Sequence, residues 1–241
     1  MVFRRRSDSS DRLNSAEDTR SILISKKTNM LYLKNGKGEV IFTARVATGD
    51  EKGLKRITPE LNNKPILAAS IRGIWEIPNF IAEKTAFTVP KEVDGKPVLE
   101  DGKPVMDEKK LAEMSPTQMK ARGFVKTANG YAQLPGPTNI LGNFAIDVDP
   151  QHRFLIHSTN GPEIFDKENR SITNGCVRIK DIDKLFAHLR RGGTFEENLA
   201  YYRSYMEHKD GKFLREPERQ EIAQAGHFYS TRMTITNRDV A

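Results

Sequence analysis

Short apolar runs broken by polar residues open the informative part of the chain. Ser21-Ile22-Leu23-Ile24-Ser25, Met30-Leu31-Tyr32-Leu33 and Val40-Ile41-Phe42-Thr43-Ala44-Arg45-Val46 are rich in β-branched and aromatic side chains and have strand length. Asn35-Gly36 lies between the second and third runs, and both residue types tolerate the positive φ of a tight connection. The pattern predicts antiparallel strands at the start of the fold. Residues 1–20 offer almost nothing to bury and read as a flexible polar tail. Residues 21–241 read as one domain.

The middle of the chain has a different texture. Trp75, within Ile74-Trp75-Glu76-Ile77-Pro78, reads as a buried anchor or as the wall of a substrate cleft. Residues 80–130 look like an insertion. Asp-Gly-Lys-Pro-Val occurs there twice, at 94–98 and 101–105, which is turn chemistry used twice and not a repeat architecture. A short helix is expected from Asp107. A second is signalled by Ser115-Pro116-Thr117-Gln118, with Ser as cap, Pro in the first turn, Gln reaching back and Gly123 as the stop. Phe124-Val125-Lys126 and Tyr131-Ala132-Gln133-Leu134 flank Asn129-Gly130 as a hairpin.

Strands resume at 144–148 and 154–157. Ile182, Leu185, Phe186 and Leu189 then mark one face of a helix, with Asp181 as its cap and Gly192-Gly193 beyond its end. Thr194 and Glu197 form a capping box for another helix, which carries Phe195, Leu199, Tyr202 and Met206 on one side. His227 to Thr236 reads as a last strand. The fold class is mainly β, of the α+β kind, with strands dominating and a few helices beside them.

Composition narrows the class. With 29% charged and 37% hydrophobic residues, the chain reads as a soluble globular protein. The net charge of +7 suits a polyanionic partner or diffuse solubility. No apolar run is long enough to cross a membrane, so stable membrane insertion is not expected. No basic helix with interleaved aromatics is present, so nucleic acid is not an expected partner. Met1-Val2-Phe3-Arg4-Arg5-Arg6 is followed by polar residues where a secretory signal would be apolar. That leaves three readings: a trimmed chain, a cytosolic protein, or export without such a signal.

Candidate chemistry concentrates in two segments. Cys176 is the single cysteine, either a buried apolar side chain or a reactive thiol. His157 ends the apolar run Phe154-Leu155-Ile156, where a side chain can face a cleft. Gly175 lets the backbone turn sharply before the thiol. Arg178 adds a positive charge nearby. A catalytic thiol needs a base, an orienting partner for the base, and donors for an oxyanion. The histidines at 152, 157, 188, 208 and 227 show no tight ligand spacing with Cys176, and no metal or cofactor is expected. His152 reads as a turn residue, and His188 and His208 as solvated helix residues.

The segments His157-Ser158 and Thr173-Asn174-Gly175-Cys176-Val177-Arg178 resemble the signature of YkuD-type L,D-transpeptidases. Leu134-Pro135-Gly136-Pro137-Thr138-Asn139-Ile140-Leu141-Gly142-Asn143-Phe144 resembles a stretch of the larger periplasmic subgroup. Ile164-Phe165 followed by Arg170 does so too. Val46-Ala47-Thr48-Gly49 and Thr58-Pro59 resemble the family's early Gly and Thr-Pro elements. The resemblance implies a β-sandwich or barrel core, with 80–130 as a small capping insertion. It implies Cys176 as nucleophile and His157 as base, the second ring nitrogen of His157 being held by the Ser158 carbonyl. It also implies an oxyanion hole from the N–H groups of Asn174, Gly175 and Cys176. Thr173, Arg178 and Trp75 are candidate substrate contacts, with Arg178 expected rather to brace the loop.

The substrate so implied is a peptidoglycan stem peptide, which places the protein in the periplasm or cell envelope. The thioester would be resolved by an amine to give a 3→3 crosslink. Water (a carboxypeptidase) or a free D-amino acid (an exchange enzyme) are the alternatives, as is an antibacterial secreted effector using the same acyl-enzyme. A non-catalytic wall-binding module is the rival outside enzymology.

Overall fold

The alternation of Ile22 and Ile24 with polar neighbours, and of Leu31 and Leu33 with theirs, puts each pair on one face of a sheet at 0–1% exposure. The computed structural model describes residues 19–50, 57–66, 68–70, 75–149, 154–204, 208–209, 212–213 and 228–240. The flexible tail expected over 1–20 lies outside them, except that Thr19 and Arg20 already belong to the first strand.

The opening strands are β1 (Thr19–Ser25), β2 (Met30–Asn35) and β3 (Val40–Gly49), followed by β4 (Leu61–Pro65) and β5 (Ala68–Ser70). The turn between β2 and β3 is closed by the Asn35 side chain, which accepts from the N–H groups of Lys37 and Glu39 at 3.0 Å. Its positive φ falls on Gly38 and not on Gly36, because the hydrogen-bonded loop spans four residues.

Residues 75–133 form a separate layer: β6 (Trp75–Ile77), α1 (Asn79–Lys84), β7 (Phe87–Pro90), β8 (Glu92–Val93), β9 (Lys96–Pro97), β10 (Leu99–Glu100), β11 (Lys103–Pro104), β12 (Met106–Lys109), α2 (Pro116–Ala121), β13 (Phe124–Thr127) and β14 (Gly130–Gln133). It has its own apolar core of Ile77, Ala82, Val89, Leu111, Met114 and Phe124. The two Asp-Gly pairs each make a two-residue hairpin turn with both residues at positive φ: 52° and 74° at Asp94-Gly95, 51° and 74° at Asp101-Gly102. The capping box of α2 is formed as its sequence predicts: Gln118 N–H reaches Ser115 Oγ at 3.1 Å, and Ser115 N–H reaches Gln118 Oε1 at 3.0 Å. The helix expected from Asp107 is instead β12, paired with β7 from Met106↔Pro90 to Lys109↔Phe87. Charged side chains there suit an exposed helix, and the partner strand overrides that preference. A short 3₁₀ turn follows at Leu111–Glu113.

The chain then returns to the main sheet with β15 (Ala145–Asp149), β16 (Phe154–His157), β17 (Ser171–Thr173) and β18 (Val177–Ile179). Two helices follow, α3 (Ile182–Leu189) and α4 (Phe195–Ser204), then β19 (His208–Lys209), β20 (Lys212–Phe213) and β21 (Ser230–Thr236). Among the described residues one ten-stranded, curled sheet results, in the order β4-β21-β1-β2-β3-β18-β16-β15-β5, with β17 also on β3. The last strand enters parallel to the first, from Thr19↔Ser230 to Ser25↔Thr236. The architecture is the expected mainly β fold with few helices.

Ile182, Leu185, Phe186 and Leu189 of α3 close the main core with Tyr202 of α4. Phe144, Phe186 and Tyr202 pack with ring centroids 5.3–6.1 Å apart. The Thr194–Glu197 capping box is present. Asp181 does not cap α3 with its side chain. It sits in the left-handed region (φ 57°), from which the carboxylate cannot reach the first helical N–H groups, and it pairs with Lys184 at 3.2 Å. Two histidine readings are corrected. His188 lies between the rings of Phe42 and Phe195, at 5.5 and 4.5 Å, and His208 is in a strand. Met206, His152 and His227 lie outside the described residues.

Candidate active site

Two adjacent parallel strands bring the chemistry together. β16 and β18 pair in register Ile156↔Val177 and His157↔Arg178. Ile156 and Val177 are both fully buried in the main core. Alternation therefore sends His157, Arg178 and Cys176, the residue just before β18, to the opposite face. Cys176 is the diagonal neighbour of His157, one strand over and two positions back, at a Cα separation of about 8 Å from strand spacing and rise. The charge of Arg178 acts on both His157 and Cys176, which places all three in one neighbourhood.

His157 is held as a neutral base. Its side chain is 3% exposed, and Nδ1 lies 2.5 Å from the carbonyl oxygen of Ser158. A carbonyl only accepts, so Nδ1 carries the hydrogen and Nε2 keeps its lone pair. Burial, reinforced by the positive charge of Arg178, pushes the imidazole down to about 4, against the opposing effect of the Ser158 bond. The orienting partner is a backbone carbonyl where many catalytic triads use a carboxylate.

Ser158 is fixed in turn. Its hydroxyl donates to the Leu141 carbonyl at 3.0 Å and accepts from the N–H groups of Asn143 and Phe144 at 2.9 and 3.3 Å. Gly142, at φ +66°, passes so close that an added Cβ would lie 2.1 Å from Ser158 Oγ and 2.9 Å from Thr159 N. The loop carrying Leu141 and Gly142 is built on buried Asn139, whose amide donates to the carbonyls of Gln133 and Leu134 at 3.0 and 2.9 Å. Thus the Pro-Gly-Pro to Leu-Gly stretch buttresses the base. Asn139 and Gly142 as buttress residues escape a search for reactive groups, since neither has reactive chemistry of its own.

The thiol loop is held by hydroxyls. Cys176 is partly exposed and in no disulfide. Thr173 Oγ1 donates to the Cys176 carbonyl at 2.7 Å and accepts from Gly175 N–H at 3.2 Å. Thr173 is 3% exposed and spends its hydroxyl inside the loop. Gly175 N–H is turned to Thr173 Oγ1. A loop this tight must satisfy its own polar groups. Gly175 has φ +125°, and its carbonyl accepts from Thr58 Oγ1 at 2.9 Å, a residue for which the sequence offers no chemical signal of this role. Asn174 is exposed at the tip.

The Nε of Arg178 is buried without a hydrogen-bond partner, and Cys176 and Glu163 are the charges acting on the guanidinium. Arg170 is a brace, reaching the carbonyls of Val46, Lys167, Thr28 and Asn29 at 3.0–3.2 Å. Ile164 and Phe165, in the 3₁₀ turn Pro162–Asp166, pack with Ala47 beneath the same region. Trp75 pairs with Gln133 and packs on the apolar core of the 75–133 layer, which makes it an anchor of that layer. The described residues contain no cluster of three His, Cys, Asp or Glu able to hold a metal.

The model of the L,D-transpeptidase catalytic domain, YkuD, matches residues 19–196. That span holds β1 to β18, with His157, Cys176 and the 75–133 layer inside it. No curated protein matches the chain.

Proposed function

Because the chain belongs to the YkuD L,D-transpeptidase family, which acts on peptidoglycan, we propose that it forms its thioester on Cys176 and uses His157 as the base. The supporting observation is the pinned neutral imidazole: Nδ1–H is committed to Ser158, and Nε2 is left to take a proton from a thiol on the same face.

In this reading Nε2 removes the Cys176 proton as sulfur attacks the carbonyl between the L-centre of the diamino acid and the terminal D-alanine of a tetrapeptide stem. The carbonyl electrons move to oxygen, where the Cys176 and Asn174 N–H groups are the remaining donors. Collapse breaks the C–N bond, and His157 returns its proton to the departing D-alanine amine. An amine of a second stem then attacks the thioester, loses a proton to His157, and frees the thiol with a 3→3 crosslink made. Arg178 serves to hold a substrate carboxylate, since it is paired beside His157 and its Nε is buried without a hydrogen-bond partner. The substrate lies outside the cytoplasm, which argues for work in the periplasm or cell envelope.

The test is mass analysis of muropeptides after incubation of tetrapeptide-rich peptidoglycan with the wild type and Cys176→Ala. Crosslinked dimers in the wild type alone support the transpeptidase. Trimmed tripeptides or exchanged tetrapeptides would assign the thioester to water or a D-amino acid instead. No product in any form would overturn the proposal.

A further inference from the structure

We propose that Thr58 is a positioning residue that sets the oxyanion-binding peptide of the Cys176 loop. The proposal rests on the acyl-transfer reading above and adds to it a residue 117 positions from the one it acts on.

Thr58 is fully buried, and its hydroxyl has one proton to give. Gly49 N–H approaches that oxygen at 2.5 Å and can only donate, so the hydroxyl proton goes to its other partner, the Gly175 carbonyl at 2.9 Å. The Gly175 carbonyl and the Cys176 N–H belong to one planar trans peptide and point in opposite directions. Fixing the carbonyl inward on Thr58 therefore fixes the Cys176 N–H outward, away from the Thr58 side. Gly175 at φ +125° occupies a backbone region that suits glycine and allows this orientation.

Thr58 is itself anchored. Its carbonyl accepts from Lys26 Nζ at 3.2 Å, and that ammonium, 8% exposed, also pairs with Glu60 at 3.2 Å. β17 holds the other side of the loop against β3 through Ser171↔Thr48 and Thr173↔Gly49. The end of β3 thus carries both Gly49, which orients the hydroxyl, and the strand edge that fixes the loop. An oxyanion donor must be in place before charge develops, and this frame supplies that preorganisation.

The test compares two reactions of the same thiol. Alkylation by iodoacetamide displaces iodide at a saturated carbon and forms no oxyanion. Acylation by a carbapenem passes through one: sulfur bonds to the lactam carbonyl, the ring C–N bond breaks, and the thiol proton ends on the ring nitrogen. Thr58→Val should slow carbapenem acylation by about a hundredfold, leave the alkylation rate within about twofold, and lower the maximal acylation rate more than apparent binding. Thr58→Ser should restore acylation to within a few-fold of wild type. Should the valine variant not fold, Thr58→Ala against Thr58→Ser gives the same contrast. Equal loss of both reactions, or acylation at the wild-type rate, would overturn the role of Thr58. A wild type that alkylates but never acylates would instead sink the acyl-transfer reading itself.

Discussion

The ten-stranded sheet and the layer of residues 75–133 are built on opposite plans. The sheet draws its core from both ends of the chain: Ile22 and Ile24 of β1 lie beside Met233 and Ile235 of β21. The layer draws its core from one contiguous stretch, Ile77 to Phe124, and shapes it with two-residue turns and the Ser115–Gln118 capping box. His157 and Arg178 stand on β16 and β18 of the sheet, and Ser158 and Cys176 directly flank those strands. The difference teaches that the placing of His157 and Cys176 depends on long-range pairing, while the layer is locally specified. They meet at the loop of residues 134–142: Arg122 at the end of α2 receives hydrogen bonds from Gln133 and Thr138, and Leu141 passes the support to Ser158.

The comparison breaks most visibly at the base. His157→Gln should cut carbapenem acylation by roughly a hundred- to ten-thousandfold while the fold persists, checked by acylation kinetics and circular dichroism. Next is Gly142→Ala. The new methyl group would collide with Ser158 at a φ that favours glycine, so Ser158 and the imidazole it holds must shift. Acylation should fall by about a hundredfold, with a lower Tm in calorimetry.

The pH profile gives a smaller effect. The folded imidazole is pushed from 6.5 to about 4, so the neutral base persists as pH falls through 6.5. Acylation attributable to His157 should hold near its plateau at pH 5.5, where an unshifted histidine would have lost about tenfold. The same depression makes the stability from a neutral His157 complete above about pH 6.5. It declines as pH falls from there towards 4, visible as a falling Tm. Phe124→Ala sharpens the contrast from the other side. It should destabilise the 75–133 layer by about 3–5 kcal/mol, read by hydrogen exchange. Iodoacetamide alkylation of Cys176 should change by no more than a few-fold.

What the sequence discloses follows the same division. The hairpins at Asp94-Gly95 and Asp101-Gly102, the Ser115 box and the strand ending in His157 are legible because each is decided within a few residues. β12 misleads because its charges suit a helix, and only its pairing with β7 makes it a strand. Asp181 has the right residue type for a cap and the wrong backbone conformation. The roles of Thr58 at Gly175 and Gly142 at Ser158 are set by approaches across the fold, which no local pattern encodes. Thr173 was legible as part of the motif, but the direction of its hydroxyl depends on the loop's own unsatisfied groups.

Intact-protein mass spectrometry after exposure to a carbapenem tests the pairing of Cys176 with His157 most directly. The account predicts a single covalent adduct on the wild type, mapped by peptide digestion to Cys176, absent from Cys176→Ala and formed far more slowly by His157→Gln. An unmodified wild-type mass, or an adduct formed as fast without the imidazole, would contradict it.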